Sequence, residues 1–223
     1  MHTDEFIRLL AEDCRPVRPL RRPWIRTAEW LLVALLYAVL VGFVVSPRPD
    51  LAAKTSDWHF VVEQVLALAT GIAAAAAALT MIIPGRSRNL PALPFLALSI
   101  WFASLGQAYV QDDLGGWVRL DPGALPPHPD WYCVPAIVLV GSVPAIAMTM
   151  MLHRGVPLTP HLTAVLGGLA AAALGNFGMR FFCTQDGSLM VLVWQFSTVC
   201  VLSILAGCAG HRVLKGTARA HSA

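Results

Sequence analysis

Six apolar runs, each close to the length of a membrane crossing, constrain this chain more than any motif within it. They fall near 28–45, 58–83, 90–110, 133–152, 162–182 and 188–209, and about 20 apolar residues of helix cross the hydrocarbon core. A backbone in lipid must bond its own polar groups, so such runs read as helices. Pro91, Pro94, Pro135 and Pro144 are expected to start or bend helices without abolishing them. Composition agrees: the chain is 57% hydrophobic and 13% charged, against roughly 25% charge in soluble domains. The expected fold is an all-α membrane protein, a six-transmembrane-helix bundle. Its parts are an arm at 1–27, the helices at 28–210 and a basic tail at 211–223.

Charge sets the orientation. Arg8, Arg15, Arg18, Arg21, Arg22, Arg26, Arg86, Arg88, Arg154, Arg212, Lys215 and Arg219 fall on one side of such a bundle. Only Arg48, Lys54 and Arg119 fall on the other, beside seven acids: Asp50, Asp57, Asp112, Asp113, Asp121, Asp130 and Asp186. Basic residues in short loops stay cytoplasmic, so both termini are expected on the cytoplasmic side. The formal charge of +3 is too small to suggest direct nucleic-acid binding. A cleavable signal is not expected, because acids and arginines precede the first apolar run.

That orientation sorts the cysteines. Cys14 falls in the cytosol, and Cys200 and Cys208 lie within the last run, where a thiol acts as a small apolar side chain. Cys133 opens the fourth run and Cys183 closes the fifth, so both reach the outer surface. There they are either two unrelated interfacial thiols or a pair. A pair could form a disulfide, bind a metal ion or react with an oxidant. No C-x-x-C occurs among the five cysteines.

Polar residues inside the runs gather in the same outer half: Glu63 and Gln64, Gln107, Asn176 and Arg180, and Gln195. Ionisable groups in a membrane are costly and face a partner or a watery cavity. Glu63 and Arg180 have opposite charge at similar depth, which predicts that they pair. Separate snorkelling is the alternative. The alanines at 73–78 and the Gly/Ala stretch 167–173 read as close-packing surfaces. Trp58, Trp117, Trp131 and Tyr132 fit the outer aromatic belt, and Trp24 and Trp30 the inner one.

In the arm, Thr3 can cap a helix whose first turn holds Asp4 and Glu5. Phe6, Ile7, Leu9 and Leu10 give it an apolar side, which serves either a membrane surface or a cytosolic partner's groove. Pro16, Pro19 and Pro23 stop it. His59, His128, His153, His161 and His211 are scattered singly, and no nucleophile elbow, phosphate loop or zinc-protease helix occurs. No catalytic residue and no cofactor is expected.

Several stretches together resemble the NrsF family. They are Thr3-Asp4-Glu5-Phe6-Ile7-Arg8-Leu9-Leu10-Ala11 with Arg15-Pro16-Val17-Arg18-Pro19-Leu20, then Pro84-Gly85-Arg86-Ser87-Arg88. Trp131-Tyr132-Cys133-Val134-Pro135-Ala136-Ile137 follows, and Cys183 with Leu192-Val193-Trp194 completes the set. The resemblance covers almost the whole chain. It implies a non-enzymatic six-helix inner-membrane anti-sigma factor whose N-terminal segment holds an extracytoplasmic-function sigma factor. It also implies that the periplasmic thiols Cys133 and Cys183 sense redox or heavy-metal stress. In the family pattern, histidines often flank the second cysteine and follow the last tryptophan. Here Phe182, Thr184 and Gln195 stand there, which favours thiol chemistry over a His-assisted metal site, with metal capture by Cys133 and Cys183 themselves left open. The alternative is a small six-helix transporter or thiol redox protein.

Overall fold

The computed structural model describes residues 21–45, 47–83, 90–116, 133–155, 159–182 and 197–206, and the single positions Glu5, Ile7, Arg8, Ala11 and Cys208. Regular structure among the described residues is entirely helical. It comprises α1 (Pro23–Val45), the short α2 (Leu51–Lys54), α3 (Trp58–Thr80), α4 (Ala92–Gly116), α5 (Cys133–His153), α6 (Pro160–Met179) and α7 (Ser197–Ala206). Three of these, α1, α3 and α6, are long and apolar enough to cross a membrane. The 23 residues of α1 extend about 34 Å at 1.5 Å per residue, enough for the hydrocarbon core. The fully described apolar stretches of the others, Ala92–Leu105, Ile137–His153 and Ser197–Ala206, are shorter.

Local chemistry sets the ends. Pro23 opens α1, where a residue without an N–H and with a preset φ fits best, and the Ile25 and Arg26 N–H groups bond the Arg22 carbonyl. The helix therefore begins at Pro23 rather than near 28. Pro160 does the same for α6. Asp57 caps α3 by accepting from the His59 N–H at 3.0 Å. α4 continues to Gly116, past the 110 read from hydropathy.

The packing order follows side-chain size. α6 is the axis, with 78% of its apolar window buried against 44% for α3 and 17% for α1. It packs between α3 and α5; α3 also meets α4 and α1, and α1 lies along α5. The α3–α6 contact is rich in small residues: Ala74, Ala75, Ala77 and Ala78 of α3 share one cluster with Ala170, Ala172 and Ala173 of α6, around which Trp30, Leu79, Trp101, Leu166 and Leu174 are also buried. Other large apolar side chains point outward, among them Leu32, Leu36, Leu40 and Phe43 on α1 and Val201, Ile204 and Leu205 on α7. In water such an exterior would drive aggregation. In lipid it is the expected surface, with close packing of small residues holding the helices together. The molecule is membrane-associated.

Close approach is tightest where α5 crosses α6. A Cβ on Gly175 would sit 2.7 Å from the Ile137 carbonyl oxygen, so only glycine fits. Ile137 also packs on Met179. α3 runs beside α6 with Glu63 level with Arg180 and Gly71 against Ala170 and Leu174, an antiparallel register. One expectation is corrected. Trp30 is not in an interfacial belt: it is fully buried and its indole N–H donates to the Pro144 carbonyl at 2.9 Å. Exposed Trp24 and Trp58 do suit an interface.

Candidate functional site

At the Cys133 end of the bundle, α3 begins and α6 stops. Arg180 is the residue on which α6 terminates, its N–H returning to the Asn176 carbonyl. The side chain reaches across to α3, where Nη2 lies 2.8 Å from Glu63 Oε2. The pairing anticipated from matching depth is present, with the two side chains 6% and 13% exposed. The guanidinium also lies 5.4 Å from the centre of the Phe60 ring, close enough for a cation–π contribution. Breaking a buried pair of this kind by removing one partner typically costs about 3–5 kcal/mol, because the other charge is stranded.

Beside this pair, the connection from α1 to α3 is tied to the same end of α6. The Arg48 N–H donates to the Phe181 carbonyl at 3.0 Å. Its guanidinium, buried to 3% residue exposure, holds both Asp50 oxygens at 2.7 and 2.6 Å. Those hydrogen bonds hold the Asp50 carboxyl below its ordinary pKa. Phe177 and Phe181 meet edge to face at 5.2 Å. Below them a cavity of about 410 Å³ lies between α1 and α6, lined by Leu35, Gly42, Phe43, Phe177 and Phe181 among others. Its apolar walls suit a hydrocarbon chain and offer no reacting group.

Of the six intramembrane polar residues singled out in the sequence, Glu63, Gln64, Asn176 and Arg180 are described, all on the facing helices α3 and α6. Buried Gln64 Oε1 and Asn176 Oδ1 have no hydrogen-bond partner among the described residues. The side chains of Gln107 and Gln195 lie outside the described residues, as do Cys183 and the side chain of Cys133. The Cys133 backbone opens α5. Cys200 is half-buried and Cys208 exposed, both free thiols. Among the described residues no three His, Cys, Asp or Glu side chains gather as a metal site. In the arm, Glu5, Ile7, Arg8 and Ala11 are helical and exposed, while Phe6, Leu9 and Leu10 lie outside the described residues.

Sequence reasoning missed a second set of contacts. Three side chains of α1 donate to carbonyls of α5: Arg26 Nη2 to Met151, Trp30 Nε1 to Pro144 at 2.9 Å and Tyr37 Oη to Leu139 at 3.1 Å. Pro144 stands in the middle of this set. It lies within α5 and lacks the N–H that would bond the Val140 carbonyl. Its own carbonyl accepts from Trp30, and Met151 is among the last four residues of α5, whose carbonyls lack intrahelical donors. The ladder thus joins most of the length of α5, which Cys133 opens, to the helix that follows the arm.

A scan against protein families matches residues 10–215 to NrsF, described as negative regulator of sigma F. The chain belongs to the NrsF family. That membership makes it a negative regulator of a sigma factor and makes a sigma factor its partner class. Comparisons with curated proteins and with solved structures each find no match. The ladder and the buried ion pair are therefore features of an NrsF chain read from its own residues.

Proposed function

We propose that this NrsF chain is an inner-membrane anti-sigma factor of six transmembrane helices, with both termini in the cytoplasm. Its N-terminal segment sequesters an extracytoplasmic-function sigma factor, and its periplasm-facing thiols Cys133 and Cys183 release that factor under redox or heavy-metal stress. Phe6, Ile7, Leu9 and Leu10 form the docking side of the arm. Ile7 supports this, being helical and 57% exposed, where an apolar side chain gains by entering a partner's groove.

The observation that carries the mechanism is the α1–α5 ladder. Cys133 is the first residue of α5, and α5 holds α1 through the Leu139, Pro144 and Met151 carbonyls. The arm leads directly into α1. A bond formed or a metal captured at Cys133 would shift α5, and the ladder would carry that shift to the arm. Cys183 follows Arg180 by three residues, so the same event would pull on the Glu63 pair. Modification must favour one arrangement of the helices over another, because a ligand shifts an equilibrium only through differential affinity.

Co-purification tests the output and thiol replacement the input. The full chain should retain a small cytosolic sigma factor, and deleting residues 2–13 should release it while membrane insertion persists. Cys133→Ser with Cys183→Ser should keep basal repression and abolish the stress response. A normal response from that double variant would sink the sensor assignment. Turnover of a quinone or flux of a solute in vesicles, without sigma factor retention, would favour a redox protein or transporter.

A further inference from the structure

At the opposite end of the bundle, where α1 begins and α5 stops, the chain buries an arginine one of whose amino groups has no hydrogen-bond partner among the described residues. Arg26 lies in the first turn of α1 and is only 5% exposed. Its Nη2 donates to the Met151 carbonyl, one of the last four carbonyls of α5, which helix geometry leaves without an intrahelical donor. That contact caps α5 and accounts for one amino group. The other, Nη1, is buried and has no hydrogen-bond partner among the described residues.

The surroundings add positive charge. Arg154, just past the end of α5 and exposed, acts on Arg26 as a like charge, and Glu29 is the acid that opposes it. Glu29 is already engaged by Arg21 at 2.5 Å, in an exposed pair. Among the described residues, the acid that acts on Arg26 is therefore already occupied by another arginine. The N-terminus of α1 adds its own partial positive charge. A phosphate oxyanion is the group that guanidinium forks and a helix N-terminus receive together.

Depth identifies the source of the phosphate. An apolar span places its first turn at the headgroup level, and exposed Trp24 beside Arg26 is a residue type enriched there. A zwitterionic headgroup would bring an ammonium into a cluster of arginines, whereas a glycerol headgroup brings none. We propose that Arg26 and Arg154 form a binding site for the phosphate of an anionic phospholipid such as phosphatidylglycerol, between α1 and α5. Arg26 Nη1 is the buried donor and Arg154 the exposed one. The site rests on α1 being a membrane span and not on the sigma-factor reading.

The full chain in phosphocholine micelles tests it, with Tm followed during additions of short-chain phosphatidylglycerol, short-chain phosphatidylcholine and inorganic phosphate at matched concentrations. Phosphatidylglycerol should raise Tm, and the other two should not. Arg154→Gln, at an exposed position outside the helices, should weaken the apparent Kd about fivefold, the effect of one basic residue at a membrane surface. Arg26→Lys can still cap α5 but has no second amino group, and should weaken binding at least as much. Equal shifts with phosphatidylcholine, or an unchanged Kd in both variants, would overturn the site. An equal shift with inorganic phosphate would assign it to free phosphate and overturn the lipid. Sigma-factor retention, measured on the same preparations, reports separately on the regulatory reading.

Discussion

Glu63 and Arg180 are costly in lipid singly and tolerable together, which is why their pairing could be anticipated from charge and depth alone. Glu63→Gln should lower the unfolding free energy in bilayer nanodiscs by about 3–5 kcal/mol, since Arg180 is then stranded. Exchanging the two, Glu63→Arg with Arg180→Glu, should recover a good part of it. A loss no larger than for a lipid-facing substitution would mean that the pair is solvated. Asp50 gives a pH dependence of known sign. Its carboxyl is held below the ordinary value by the Arg48 hydrogen bonds. The contribution is therefore complete above the ordinary aspartate pKa of about 3.9 and disappears as pH falls through the lowered folded value. Carboxyl NMR titration should find Asp50 depressed in the native chain and restored upward in Arg48→Met. Other residues were not legible in this way. Arg26 and Arg48 are simply basic residues of the two sides in a charge count, yet both are buried, Arg26 donating to the Met151 carbonyl and Arg48 to the Asp50 carboxylate. Trp30 near the start of an apolar run reads as an interfacial anchor until a facing carbonyl is known.

Helices were legible as elements because lipid leaves an apolar run few other conformations. Their ends were less so: Pro23 is a stop signal from the N-terminal side and a good first residue from the C-terminal side. The choice depends on what α1 packs against. Neighbours were the least legible, because a stripe of alanine or glycine says that something comes close without saying which helix. The α1–α5 ladder is the clearest case, since it joins side chains of one helix to backbone carbonyls of another. Trp30→Phe keeps the ring and removes one bond. It should cost about 0.6 kcal/mol, and at most about 1.7, by the scale of interhelical hydrogen bonds in membranes. Combined with Tyr37→Phe, it should leave repression in place and blunt the response to thiol modification, read as sigma-dependent reporter induction. A double variant that responds fully would show that the shift reaches the arm by another route.

At the scale of the whole molecule, two independent distributions must agree if this chain crosses the membrane as proposed. One is radial: small residues at the α3–α6 contact and large apolar ones outside, which is visible in the packing. The other is axial: twelve basic residues assigned to one side against three on the other, which is visible only in the sequence. The radial pattern would survive inversion of the bundle, so it cannot orient it; the axial pattern can, because translocating arginines is unfavourable. Single-cysteine labelling separates the two. In a chain with its five cysteines replaced by serine, Ser56→Cys probes the exposed segment between α2 and α3, and Arg154→Cys the exposed turn after α5. A membrane-impermeant maleimide applied to intact spheroplasts should label the first and spare the second until the cells are lysed. Labelling in the reverse order would invert the bundle. That result would put the arm and the Arg26–Arg154 cluster outside the cell, where no sigma factor could be held.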